Sequence, residues 1–122
     1  MTDLGLHAGL SEALRRWADL IDNVLSRLKT GAPVTGDHAF EELQRLISEV
    51  AKNDVSSVDF SDQRVANILA LELGKRLNWV ELARQLSSPD WHAQAIPMLE
   101  ALAQCLASEH ASTMARMRWG RR

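Results

Sequence analysis

From Leu10 onward the apolar residues recur at helical spacing. Leu10, Leu14, Trp17, Ile21, Val24 and Leu28 are separated by 4, 3, 4, 3 and 4 positions, which keeps six side chains on one stripe. Glu12 and Arg16, and Arg15 and Asp19, are opposite charges at i, i+4 on the outer surface. Gly31 and Pro33 end this helix near Thr30. Ahead of it, residues 1–9 contain Gly5 and Gly9 and predict poor helix. Thr35-Gly36-Asp37 is a turn that can cap a second helix, with Phe40, Leu43, Leu46, Ile47 and Val50 on its inner face and Asn53 as terminator.

A polar connection pinned by Val55, Val58 and Phe60 leads to a third helix. Ser61 is its expected cap, with Phe60 and Val65 as a hydrophobic staple. Between Val65 and Leu73 only Asn67 and Glu72 are polar, which predicts a central, buried helix ended by Gly74. Asn78 and Glu81 form the pattern of a capping box, stapled by Leu77 and Leu82, for a short fourth helix with Trp79, Leu82, Ala83 and Leu86 inward. Ser88-Pro89 opens the next segment. Pro97 lies inside that segment and predicts a break near Ala95–Pro97. Beyond it Leu99, Leu102, Leu106, His110, Met114 and Met117 line one side. No stretch alternates as a strand does, and nothing repeats. The expected fold is all-α: one domain over residues 1–122, a single compact bundle of five or six helices without β-sheet, frayed at 1–9 and 119–122.

A chain of 122 residues with 46% apolar and 25% charged residues has the composition of a globular domain rather than a disordered one. No apolar run approaches the ~20 residues that span a bilayer. The N-terminus has no basic patch followed by an apolar stretch, so no signal peptide is read. One cysteine, Cys105, excludes an internal disulfide framework and a cysteine-rich zinc site. The expected location is cytoplasmic. Eleven arginines against three lysines, no tyrosine, and 34 alanines and leucines match the usage of a GC-rich bacterial genome.

The net charge of −2 hides an asymmetry. Residues 113–122 carry Arg116, Arg118, Arg121 and Arg122 and no acid, on a body with six more acids than bases. Such a tail complements a helix C-terminus, and it can also contact phosphates or an acidic partner.

The motifs of catalysis are missing. There is no glycine-rich phosphate loop, no His-Glu-x-x-His, no Glu-x-x-His and no Gly-x-Ser-x-Gly. His38 and Glu42 stand at i, i+4 beside Asp37 and Glu41, which reads as capping and surface. These acids resemble the acidic pairs of helical nucleotide pyrophosphohydrolases, whose pattern is Glu-Glu-x-x-Glu; here the last position is Arg45. Cys105, beside Leu102 and Leu106, reads as a small core residue. His110, five positions on, is rotated ~140° away from it on an ideal helix.

Of four tryptophans, Trp17 and Trp79 fit inward stripes, whereas Trp91 and Trp119 are the ones expected at the surface. Exposed tryptophan near arginine is the usual make-up of binding hot spots. The expected partner-binding residues are therefore Trp91, Trp119, Arg116 and Arg118.

Two local resemblances end at the motif. Leu77 to Leu86 resembles the Trp-x-x-Leu-Ala-x-x-Leu helix of death-fold interaction domains, which are six-helix bundles that bind their own kind. The likeness spans ten residues, and no family is assigned on it. Leu82-Ala83-x-x-Leu86 followed by Ser87-Ser88 and Pro89 is similar to a helix-turn-helix, with serine where glycine usually stands. Its second helix would present Asp90, Trp91, His92 and Gln94 to DNA, with no arginine or lysine.

The expected function is a small non-catalytic helical protein–protein interaction module: an adaptor, inhibitor or accessory subunit. The alternative is a nucleic-acid-binding accessory protein using Arg116, Arg118, Arg121 and Arg122. No catalytic residue, metal, cofactor, membrane or small-molecule substrate is assigned. Self-association through the Leu10–Leu28 stripe is a further expectation.

Overall fold

The computed structural model describes residues 2–34, 36–52, 58, 60–73 and 78–119, with side chains described from Gly9 to Arg116 within those ranges. Among the described residues five α-helices follow one another: α1 (Thr2–Thr30), α2 (His38–Ala51), α3 (Phe60–Glu72), α4 (Trp79–Ser87) and α5 (His92–Trp119), with a 3-10 turn at Pro89–Trp91 ahead of α5. The fold is an all-α bundle, and no strand occurs among the described residues. α1 and α5 form the most extensive pair, and α2, α3 and α4 pack around them.

The spacing of apolar positions converts directly into burial for α1, α2 and α4. Leu10, Leu14, Trp17, Ile21 and Val24 are buried and Leu28 is half-buried. In the single chain that stripe is therefore packed inside the bundle. In α2, Phe40, Leu43, Leu46, Ile47 and Val50 are buried. In α4, Leu82 and Leu86 are buried, and Trp79 and Ala83 pack against the core.

The joint between α1 and α2 has clear local causes. Gly31 sits at φ 74°, and the Ala32 N–H donates to the Arg27 carbonyl at 3.0 Å. With the Gly31 N–H on the Leu28 carbonyl, this is a Schellman ending, which favours glycine at the left-handed residue. Arg27 then spans the linker, donating to the Pro33 carbonyl at 3.2 Å and pairing with Asp37 at 3.0 Å. Asp37 also caps α2 by accepting from the Phe40 N–H at 3.0 Å.

Several expectations are corrected. α1 begins at Thr2 and runs through both early glycines. At Gly9 an added Cβ would lie 3.2 Å from the Ser61 hydroxyl, so this glycine lets α1 and α3 approach closely. Pro97 does not break α5. The hydrogen bond it deletes would have ended on the Ala93 carbonyl, and both residues are exposed, so that orphan group lies on the solvent side. Ser61 is inside α3 rather than its cap, and Phe60 is 68% exposed, so Phe60 and Val65 form no staple. Far down α5 the inward line passes through Thr113, leaving Met114 47% exposed. Eight residues from Leu106, Met114 has drifted ~80° off that line. The expected roles of Asn53, Val55, Gly74 and Leu77 lie outside the described residues.

α3, expected to be central and buried, leaves Leu71 81% exposed and instead buries an acid, Asp62. Asp62 is only 3% exposed. Its Oδ1 accepts from the Trp17 indole N–H at 2.9 Å and from the Arg16 guanidinium. Arg16 thus turns across to α3 instead of pairing with Glu12. Trp17, fully buried, meets the Trp79 ring edge-on at 6.1 Å. One side chain of α1 therefore fixes both α3 and α4.

Removing the carboxylate orphans the buried indole N–H, whereas half-exposed Arg16 can turn to water. Asp62→Ala is expected to cost about 1–3 kcal/mol. Asp62→Asn keeps an acceptor and should cost less. Urea unfolding of the two variants checks the order; equal loss in both would show that the bond to Trp17 contributes nothing.

Candidate functional site

The sequence around α4 builds one ordered, solvent-facing corner. The Asn78 side chain accepts from the Glu81 N–H at 3.0 Å and starts the helix. Glu81 does not reach back as a capping box would. Its carboxylate turns forward to Arg84, with the Arg84 Nε at 3.0 Å, and to Gln85 at 3.2 Å. Those two hydrogen bonds, Arg84 first, hold the Glu81 carboxyl below its ordinary pKa. Arg84 in turn lies over the Trp91 ring, 4.3 Å from its centroid, across the break between α4 and α5.

The same break is held from behind. The His92 ring meets Phe40 edge-on at 5.5 Å and its Nε2 lies 3.3 Å from the Leu86 carbonyl. Gln44 of α2 donates to that carbonyl at 3.4 Å. The result is a preset surface: Trp91 is 39% exposed, and Val80, one turn before Arg84 on the same helical face, is 63% exposed. Arg84 and Val80 were missing from the expected site. The contact between Arg84 and Trp91 crosses a change of helix direction, which periodicity within one helix does not encode.

The other expected site residues sit elsewhere. Arg116 is exposed near the far end of α5, and at 1.5 Å per residue it stands about 36 Å along the helix from His92. Arg118 and Trp119 belong to α5, but their side chains lie outside the described residues, as do Arg121 and Arg122 altogether. Trp91 and Arg116 therefore do not form one patch.

The acids at the start of α2 include two that are engaged in structure. Asp37 caps α2, and Glu42 pairs with Arg45 at 2.7 Å, the residue that also interrupts the Glu-Glu-x-x-Glu pattern. That hydrogen bond keeps the Glu42 carboxyl below its ordinary pKa. Among the described residues no group of three His, Cys, Asp or Glu could hold a metal ion. Likewise, no described helix is long and apolar enough to cross a membrane.

Among the described residues, the depressions open to solvent include three of note. The first, 480 Å³, lies between α1 and α3 and mixes Glu12 and Asp19 with Arg15 and Arg16. The second, 250 Å³, is lined by Cys105 together with Glu72 and Glu109. The third, 270 Å³, runs between α3 and the end of α5.

Comparison with protein-family models, with curated proteins and with solved structures finds no match to this chain.

Burial first, and then the charges of Glu109 and Glu72, push the Cys105 thiol above its ordinary pKa. The thiolate is the nucleophile, so this thiol is poorly suited to attack. Alkylation near pH 8 should be slower in the native chain than in the unfolded one. Because the neutral thiol is favoured by the fold, the associated stability is present at neutral pH and declines as pH rises through the thiol range. Equal alkylation rates in the two states would contradict the assignment.

Proposed function

We propose that this chain is a non-catalytic helical interaction module, an adaptor, inhibitor or accessory subunit, that takes a protein partner against the corner formed by Val80, Arg84 and Trp91. One observation carries the reading: Trp91 is held partly open to solvent by an arginine that is itself held by Glu81. A tryptophan–arginine pair presents large contact area, and a pair already fixed in place loses little freedom when a partner arrives. Val80 extends the apolar surface beside it. A bacterial, cytoplasmic setting belongs to the same proposal and is supported by the lone cysteine and the arginine-rich composition.

The test is recovery of bound partners from host extract, with and without nuclease, by the wild-type chain and by Trp91→Ala. A protein retained after nuclease treatment by the wild type and lost by at least roughly tenfold in the variant, which is the scale of a 1.4 kcal/mol contact, supports the proposal. Helical circular dichroism of the variant should be unchanged. Retention that disappears with nuclease, and with deletion of residues 116–122, would favour the nucleic-acid reading through Arg116, Arg118, Arg121 and Arg122. Equal capture by Trp91→Ala would remove the corner from consideration.

A further inference from the structure

α3 has two opposed faces, and only one of them is used inside the bundle. Asp62, Val65, Ala66 and Leu69 face inward. On the opposite side Phe60, Arg64, Asn67 and Leu71 follow one another at 4, 3 and 4 positions, the spacing of a helix–helix seam. Phe60 is 68% exposed and Leu71 81% exposed. The Arg64 guanidinium sits 6.0 Å from the Phe60 ring and does not cover Leu71.

From this order we infer that α3 docks against α3 of a second copy of this chain, antiparallel, about a two-fold axis between residues 65 and 66. That axis sends Phe60 of each copy onto Leu71 of the other, and Arg64 onto Asn67. Apolar ends meet apolar ends and the polar middle meets itself, as an isologous interface requires. Charge favours the same occupant. In the groove alongside, Ile68 and Leu71 are flanked by Arg64, Arg116, Glu72 and Glu109. Glu72 and Glu109 lie together at the end that also borders the Cys105 depression, and Arg64 and Arg116 lie away from it, so the two-fold image sets the acids of each copy toward the arginines of the other. Toward phosphates or an acidic peptide this face offers repulsion from Glu72 and Glu109 as well as attraction.

A single pair of short helices buries less than the ~800 Å² per partner of a standard interface, even with the groove added, so the dimer should be weak and concentration-dependent.

Sedimentation equilibrium over a wide range of protein concentrations tests this. The wild type is expected to move from the mass of one chain to that of two, with no larger species. Leu71→Glu is expected to stay monomeric: it sets a carboxylate against Phe60 of the other copy, and at an exposed position it leaves the fold intact by circular dichroism. Trp91→Ala is expected to dimerise like the wild type, which separates this inference from the α4 corner. A wild type that remains monomeric at the highest concentrations would overturn it. So would dimers that survive Leu71→Glu, dimers lost with Trp91→Ala, or open-ended assembly.

Discussion

The bond between the Trp17 indole and Asp62 sets more of this structure than any other single contact. A buried carboxylate is costly unless donors meet it, and here Trp17 and Arg16 of α1 both do. The bond also sets the rotation of α3. An α-helix turns ~100° per residue, so with Asp62 facing inward, Leu71 nine positions later points almost straight outward. The exposure of Phe60 and Leu71 is then a consequence of the core and not a defect in it. A sequence apolar on nearly every side still has to choose one face for the interior, and one polar pair makes the choice.

The same economy governs the other arginines. Arg27 closes the α1–α2 linker, Arg45 occupies Glu42, and Arg84 joins α4 to the turn before α5. Arg27 and Arg84 act at joints between elements, whereas Arg45 and Glu42 stand one turn apart within α2. Planar guanidinium groups suit this work because one head can meet two acceptors, or an acceptor and an aromatic face, together. Arg16, Arg27 and Arg84 thus help hold neighbouring elements at fixed angles.

This explains what could be read from the sequence and what could not. Amphipathic spacing identified the buried faces of α1, α2 and α4, because each of those helices has one apolar side. Gly31, Asp37 and Asn78 were legible as endings and caps, because capping is decided within a few residues. α3 was read as central because periodicity cannot rank two apolar faces; that required knowing that Asp62 is met by Trp17, 45 positions away. Gly9 was read as a helix breaker because its use is to admit Ser61 of another helix. Pro97 was read as a break because the solvent exposure that makes its lost bond tolerable belongs to the packed bundle. Trp91 and Arg116 stood out by residue type, but their separation by most of the length of α5 follows only from that helix being continuous.

The continuity of α5 also orders the functional surfaces. The corner around Trp91 lies at the start of α5, while Glu109 and Arg116, which border the α3 groove, lie toward its end. A continuous helix packed along α1 and tied to it by the Lys29–Glu100 pair at 3.0 Å keeps those regions apart. Two copies joined through α3 would leave both Trp91 corners open, so self-association need not compete with partner capture. A weak dimer would then present two identical corners at a fixed separation. Linking sites in this way raises the effective concentration of the second contact once the first is made. For a small module with modest surfaces, that is a physical route from individually weak contacts to a useful affinity.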